Sequence, residues 1–133
     1  RRLAEAGATV VCGGLGGVMA AACHGAAAAG GRTVGILPGT DRGQSPPDPH
    51  VETAIFTGLG QARNLLVVLS GDAVIAVGGG WGTLSEIALA RKHGRPVVQL
   101  AGAPARPPDG RADPGVVSAA TPEEAVTLAL RMV

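Results

Sequence analysis

Short apolar runs alternate along the chain with longer segments in which apolar residues recur at helical spacing. The runs have the continuous β-branched and aliphatic character of buried strands; they are ATVVCGG, RTVGILPG, ETAIFTG, DAVIAV and PVVQLAG. The segments between them predict helices over GVMAAACHGAAAA, GQARNLLVVLSG and GTLSEIALARKHG. Alternation of this kind is typical of a parallel sheet. The pattern therefore predicts an α/β fold, a Rossmann-like doubly wound parallel sheet with helices on both faces.

The two ends of the chain extend this pattern. RRLAEAG predicts the last turn of a helix that runs into the first strand, and an α/β unit normally enters such a helix from an earlier strand. We therefore expect an N-terminal strand to be missing before Arg1. Near the other end, Thr121 predicts a helix N-cap, with Pro122 first in the helix and Glu124 third, as in a capping box. The length and the 46% hydrophobic content predict one domain over residues 1–133.

Two segments rich in Pro, Asp and Gly predict loops, at residues 41–50 and 103–114. The first is long enough to be a substrate lid or a subunit contact. A plain connection between two elements explains it equally well. The sequence leaves these alternatives open.

Composition excludes several classes of partner. The formal net charge is +1, which is too low for a basic groove that binds nucleic acid. The chain has no Tyr, one Phe and one Trp, too few aromatic side chains for a platform on which bases stack. Cys12 and Cys23 have small or apolar neighbours and no second pair, which favours reduced core thiols. No apolar run approaches the ~20 residues that span a bilayer, and no segment resembles a signal peptide. We expect a cytoplasmic protein without a nucleic-acid or membrane partner.

Two glycine-rich turns follow predicted strands, CGGLGGVM at residues 12–19 and GGGWGTLSE at residues 78–86. Ligands of parallel sheets bind beyond the carboxyl ends of the strands, where glycine lets the backbone approach and helix N-termini present N–H groups. In the second turn, Gly82, Thr83 and Leu84 begin a helix with open N–H donors. Glu86 lies about one turn further along the same helix. The second turn therefore predicts a phosphate site.

Other interpretations of the second turn differ in what they explain. Thr83 and Glu86 match a Thr-x-x-Glu capping box, which alone would account for both residues but not for three glycines before them. No Walker-type lysine follows, and the spacing is not that of dinucleotide folds, so neither an NTPase nor an ordinary NAD enzyme is favoured. His24, His50 and His93 lack metal-ligand spacing. We expect a monophosphate ligand, with no cofactor and no metal.

GGLGGVM, GGRTVGILPG, ARN and DAVIAVGGGWGTLSE together resemble the superfamily once labelled "possible lysine decarboxylase". It includes the LONELY GUY type cytokinin riboside 5′-monophosphate phosphoribohydrolases and the molybdenum-cofactor carrier proteins. The resemblance covers the chain from about Ala8 to Leu100. It implies a small phosphorylated ligand, an AMP-like nucleotide or molybdopterin. It also implies a homodimer or higher homo-oligomer with the helix GQARNLLVVLSG near the interface.

The resemblance also implies roles for single residues. In the phosphoribohydrolases the second turn reads PGGxGTxEE and an MHxRK segment precedes it, so Arg63 and Glu86 match catalytic positions. The implied ligand-binding residues are Gly13, Gly14, Gly16, Gly17, Gly79, Gly80, Gly82 and Thr83. This chain departs from the pattern at four places: Gly78 replaces proline, Ser85 replaces the first glutamate, and Gln61 and Asn64 replace histidine and lysine.

Two functions remain open. In a nucleoside 5′-monophosphate phosphoribohydrolase, Glu86 would stabilise the oxocarbenium-like ribosyl centre while Arg63 neutralised phosphate or assisted departure of the base. The alternative is a non-catalytic nucleotide or molybdenum-cofactor carrier, and for Arg63 the alternative is a surface arginine at a helix start. The sequence slightly favours the hydrolase, and parallel strands would bring Arg63 and Glu86 to one crevice.

A lysine decarboxylase is not expected, because the only lysine, Lys92, lies at the charged end of a helix.

Overall fold

The computed structural model describes residues 1–102 and 104–133 and divides into two compact units, Arg1–Val67 and Val68–Val133. Six strands form two three-stranded sheets in which every described pairing is parallel. The predicted α/β, Rossmann-like fold of parallel strands and helices is confirmed, with the strands hydrogen-bonded in two sheets instead of one. Ala103, where the second predicted loop begins, lies outside the described residues. The prediction of one domain stays a prediction.

The first unit carries a sheet in the order β1-β2-β3. Its elements are α1 (Arg2–Glu5), β1 (Val10–Cys12), α2 (Val18–Ala28), β2 (Thr33–Leu37) and β3 (Thr53–Phe56). The alanine-rich α2 packs against β1 and β2 and buries only small side chains, those of Cys23 and Ala26. Gly30 follows the helix with a φ of 69°, a left-handed conformation that glycine adopts readily.

Helix α3 (Arg63–Ser70) begins in the first unit and ends in the second, after a turn of 3-10 helix at Gly60–Ala62. Val68 is buried, whereas Leu66 and Leu69 are exposed, so this helix carries apolar side chains on a buried side and on an exposed side. The homodimer stays a prediction. Among the described residues, no helix is long and apolar enough to cross a bilayer.

The second unit has helices on both faces of its sheet, β4-β5-β6. Its elements are β4 (Val74–Val77), α4 (Trp81–Lys92), β5 (Val97–Leu100), β6 (Val116–Ala119) and α5 (Pro122–Arg131). Val97 belongs to a buried cluster with residues of α4, and Val98 belongs to a second cluster with residues of α5. Successive strand residues point to opposite faces, so α4 and α5 cover opposite sides of this sheet.

The predicted start of the last helix is confirmed. The Thr121 hydroxyl accepts a hydrogen bond from the Glu124 N–H at 3.1 Å, with Pro122 first in the helix. The Glu124 carboxylate accepts from the Ala120 N–H at 2.8 Å, one residue before the position that closes a standard capping box. Two donors at the helix start are thereby satisfied.

Replacing Thr121 with alanine should lower the free energy of unfolding by about 1 kcal/mol, because it removes this N-cap acceptor. Thr127→Ala is the matched control, since the Thr127 hydroxyl donates to the Glu123 carbonyl inside the same helix, where alanine is the better helix former. Urea denaturation of both variants measures the difference. Equal losses of stability would contradict the cap.

Candidate ligand-binding site

Each unit has a glycine turn at the carboxyl end of a parallel strand, directly before a helix. In the first unit β1 leads through Gly13–Gly17 into α2, and in the second unit β4 leads through Gly78–Gly80 into α4. This is the strand end at which ligands of parallel α/β sheets bind. The two turns are described separately below.

The second turn surrounds open space. A Cβ atom placed on Gly79, Gly80 or Gly82 would meet no atom within 4 Å. Gly78 has a φ of 89°, and its N–H donates to the Leu100 carbonyl at 3.2 Å, which ties the turn to the end of β5. The left-handed conformation accounts for Gly78, whereas packing does not account for the other three glycines.

Helix α4 begins one residue earlier than the sequence predicted. Gly80 is its N-cap, and the first intrahelical bond runs from the Leu84 N–H to the Gly80 carbonyl at 3.0 Å. The predicted donor role of Leu84 is therefore wrong. Three N–H groups precede this bond, those of Trp81, Gly82 and Thr83. They have no partner within the helix, as is usual for the first N–H groups of a helix.

The capping-box explanation of Thr83 and Glu86 is also wrong. No side chain caps α4, and with Gly80 as N-cap the two residues are the third and sixth of the helix. Both side chains are half-buried. The phosphate interpretation of Thr83 consequently has no competing explanation from helix capping.

Trp81 is 87% exposed, although it is the only tryptophan in the chain. It is the first residue of α4 and stands between Gly80 and Gly82, two of the open glycines. A large aromatic side chain normally gains free energy by burial. Its exposed ring therefore offers an apolar surface at the edge of the turn, which sequence analysis did not identify.

The chain after β5 forms a second boundary of the same turn. Gln99 is buried in an otherwise apolar strand, and its side-chain oxygen accepts from the Ala105 N–H at 3.0 Å. Ala101 has a φ of 64°, and the Cβ position of Gly102 lies 3.9 Å from the Gly78 carbonyl oxygen. The polar Gln99 within the apolar run VVQL could have indicated this boundary of the turn, and sequence analysis did not use it.

The four glycines predicted for the first turn differ in their surroundings. Gly14 has a φ of 75°, and a Cβ there would lie 2.8 Å from the Leu37 Cδ2 and 3.1 Å from the Gly35 Cα. Gly13 is closely packed as well, whereas a Cβ on Gly16 or Gly17 would meet nothing within 4 Å. Gly14 therefore has a structural role, while Gly16 and Gly17 face open space. Ligand contact by any of them stays a prediction.

Arg63 is buried against the first turn and is only 6% exposed, so its interpretation as a surface arginine is wrong. A Cβ on Gly13 would lie 2.9 Å from the Arg63 Nη2, so a larger residue here would displace the guanidinium. The Nη1 donates to the Asn64 side-chain oxygen, and the buried Nε has no hydrogen-bond partner among the described residues. Arg63 and Glu86 belong to different units, and their convergence on one ligand stays a prediction.

The loop at residues 41–50 is held to the first turn by hydrogen bonds. The Asp48 N–H donates to the Gly14 carbonyl at 2.9 Å, and Ser45, which is buried, accepts from the Gly39 N–H at 2.9 Å. The N–H of His50 and its ring nitrogen both hydrogen-bond to the Asp48 carboxylate, which holds the pKa of Asp48 below its usual value. These hydrogen bonds hold the loop beside the turn, and its role as a lid or a subunit contact stays a prediction.

The two cysteines are neighbours in the first unit. Their sulfur atoms lie 3.4 Å apart, and the Gly14 N–H points at the Cys12 sulfur at 3.3 Å. Burial, together with the adjacent Cys12 thiol and the charge of Asp48, raises the pKa of Cys23 to about 12. Cys23 therefore stays protonated and packs as a small core residue, as the sequence predicted.

The remaining titratable side chains of the described residues were compared with the ligand sets of metal sites. Across residues 1–102 and 104–133, no group of three His, Cys, Asp or Glu side chains could hold a metal ion. The rings of His24 and His50 lie 4.6 Å apart, a contact that the sequence did not predict. Lys92 is exposed in the last turn of α4, as expected for a cation that the helix dipole favours.

Comparison with known proteins identifies relatives along nearly the whole chain. The model of the SLOG cluster4 family matches residues 1–126. An uncharacterized protein of Archaeoglobus fulgidus is 44% identical over 124 residues, which cover 93% of this chain and 76% of that protein.

Solved structures give the same result. The molybdenum cofactor binding protein of the phototrophic bacterium Rippkaea orientalis is 38% identical, with a TM-score of 0.84 over 98% of this chain and 81% of that one. The molybdenum cofactor carrier protein of Chlamydomonas reinhardtii is 35% identical, with a TM-score of 0.82 and the same coverage of 98% and 81%. The fold is thus shared with proteins that bind or carry molybdenum cofactor.

The different roles of the first-turn glycines can be tested by stability. Gly14→Ala should lower the free energy of unfolding by about 2–4 kcal/mol, because it combines a left-handed φ with overpacking. Gly16→Ala should leave it unchanged to within about 1 kcal/mol, since that position is open and has no left-handed φ. Urea denaturation distinguishes the two, and similar losses would refute the assignment.

Proposed function

The chain belongs to the SLOG cluster4 family, and we propose that it is a binding protein that carries a small phosphorylated heteroaromatic ligand. The ligand is of the molybdopterin class or an AMP-like nucleotide. The observation that carries the proposal is the open glycine turn Gly78–Gly80 in front of α4. Binding and release, without chemistry on the ligand, is the proposed activity.

A phosphate group fits the second turn for electrostatic reasons. The N–H groups of Trp81, Gly82 and Thr83 are available as donors, and the helix dipole adds a partial positive charge at the same point. The Thr83 hydroxyl supplies a further donor. The open space at Gly79 and Gly80 lets the phosphate approach the backbone. This set of donors suits one phosphate group.

Three features favour a carrier over a hydrolase. The similar solved structures include a molybdenum cofactor binding protein and a molybdenum cofactor carrier protein. The φ of 89° at Gly78 is incompatible with the proline that phosphoribohydrolases have there, because the proline ring fixes φ near −65°. Asn64 binds the Arg63 guanidinium with its neutral amide, where a lysine would add a like charge.

Trp81 would bind the aromatic ring of the ligand, next to the site proposed for its phosphate. Its indole is exposed and adjoins the helix N–H donors, so a flat heterocycle attached to the bound phosphate can stack on it. A pterin and an adenine both present such a ring. Because Trp81 is the only tryptophan, its fluorescence reports on this site directly.

The phosphoribohydrolase is the second candidate, and the presence of Glu86 and Arg63 favours it. A half-buried carboxylate on α4 could stabilise positive charge at a ribosyl carbon, as glycosidase carboxylates do. Arg63 would then act on the phosphate or the departing base. This candidate requires both residues to reach one ligand.

Titration of AMP and of molybdopterin should quench the Trp81 fluorescence of the wild type. Gly79→Asp should weaken binding by about tenfold or more, because a carboxylate in the turn repels the phosphate. Gly79→Asn is the matched control, with nearly the same size and no charge. If neither ligand binds, or if both variants bind as the wild type does, the phosphate site is wrong.

Free adenine released from AMP separates the two candidates. A carrier should release none above the uncatalysed rate, and Glu86→Gln should bind AMP as the wild type does. Release by the wild type that Glu86→Gln abolishes would replace the carrier with the hydrolase. Chromatography of the reaction mixture measures the base.

A further inference from the structure

We propose that Gln99 is a positioning residue that makes the site at α4 prefer a phosphate attached to a ring over phosphate alone. It acts through three residues after β5, Ala101, Gly102 and Ala105, which we call the boundary segment. The inference rests on the proposed function, and all of these residues belong to Val68–Val133. No contact between Gln99 and the ligand is required.

Gln99 is a buried amide among apolar side chains. It lies in β5 two residues after Val97, so both side chains project from the same face of the sheet. Val97 belongs to the buried cluster that also contains residues of α4. Gln99 is 4% exposed, and burying a polar side chain costs free energy unless it is hydrogen-bonded. The burial of this amide therefore depends on the hydrogen bonds that it makes.

The described hydrogen bond of Gln99 fixes the far end of the boundary segment. Its side-chain oxygen accepts from the Ala105 N–H at 3.0 Å, and Ala105 packs against the cluster to which Val97 belongs. At the near end, the Cβ position of Gly102 lies 3.4 Å from the Gln99 Nε2 and 3.9 Å from the Gly78 carbonyl oxygen. The Gln99 side chain thus lies against both ends of the segment, and the near end lies beside the second turn.

The backbone of the boundary segment needs support from its surroundings. Ala101 has a φ of 64°, and among the residues that the structure describes it is the one non-glycine residue with a positive φ. Gly102 follows with a φ of 87°. A side chain destabilises the left-handed conformation, so neighbouring contacts have to hold Ala101 in it. The hydrogen bond between Ala105 and Gln99 supplies such a contact.

The boundary segment lies within reach of a ligand bound at the start of α4. Gly78 and Trp81 are three positions apart, so their Cα atoms are at most about 11 Å from each other. A phosphate ion bound by the first N–H groups of α4 occupies the Trp81 end of this distance, whereas the sugar and base of a nucleotide extend beyond it. The boundary segment therefore limits the space for the organic part of the ligand and leaves phosphate alone unaffected.

Binding of AMP and of inorganic phosphate to the full chain tests the inference, with Trp81 fluorescence as the readout. AMP is titrated directly, and phosphate is measured by its competition with AMP. Gln99→Met keeps the size of the side chain and removes the acceptor. We expect the AMP affinity to fall about fivefold or more while the phosphate affinity stays within about twofold. If the wild type binds molybdopterin and not AMP, molybdopterin takes the place of AMP.

Asp113→Ala is the matched control. The Asp113 carboxylate accepts from the Arg91 Nε at 2.8 Å, from its Nη2 at 3.2 Å and from the Gly115 N–H at 2.8 Å. Its loss frees the other end of the connection between β5 and β6 and lowers stability, but it leaves the Gln99 hydrogen bond in place. The AMP affinity of this variant should therefore stay within about twofold of the wild type.

A second pair of variants tests the boundary segment without altering the core. Gly102→Ala places a side chain on a left-handed residue and should weaken AMP binding about threefold or more. Ala101→Gly supplies a residue that readily adopts the φ of 64° and should leave the affinity within about twofold. Both positions are exposed, so both variants should fold. This pair decides the case if Gln99→Met does not fold.

The inference is overturned if Gln99→Met binds AMP as the wild type does, if it loses AMP and phosphate equally, or if Asp113→Ala loses as much AMP affinity. It is also overturned if Gly102→Ala binds AMP as Ala101→Gly does. A wild type that binds neither AMP nor molybdopterin contradicts the proposed function itself. Binding by the wild type that these variants leave unaltered contradicts the role of Gln99 alone.

Discussion

Backbone conformations that favour glycine determine both turns on which the candidate site depends. Gly14 has a φ of 75° and comes so close to Gly35 and Leu37 that no side chain fits, and Gly78 has a φ of 89° at the end of β4. These residues turn the chain from a strand into a helix within a few residues. Helices α2 and α4 consequently start with N–H groups that no side chain caps. The proposed anion binding is therefore a consequence of how the strands end.

The sequence predicted the elements whose formation depends on local pattern. Buried parallel strands are runs of β-branched residues, and the start of α5 follows from Thr121 and Glu124, whose hydrogen bonds span only a few positions. The sequence placed the start of α4 one residue too late, because an exposed tryptophan between two glycines does not indicate a helix.

Contacts between distant parts of the chain could not be predicted in the same way. Arg63 was assigned to the candidate site by resemblance, but its burial against Gly13 depends on the packing of residues 50 positions apart. The hydrogen bond from Asp48 to Gly14 likewise joins a loop to a turn that it does not follow in sequence. Helix periodicity and turn composition contain no information about such pairs.

The thiol pair of the first unit has a practical consequence for labelling the protein. Cys12 and Cys23 are both buried, and a pKa of about 12 leaves the Cys23 sulfur almost entirely protonated at neutral pH. Maleimide and iodoacetamide reagents react with exposed thiolates, so we expect the two buried native thiols to be protected from them in the folded chain. A cysteine introduced on the surface can therefore carry a single spectroscopic probe while both native cysteines remain in place.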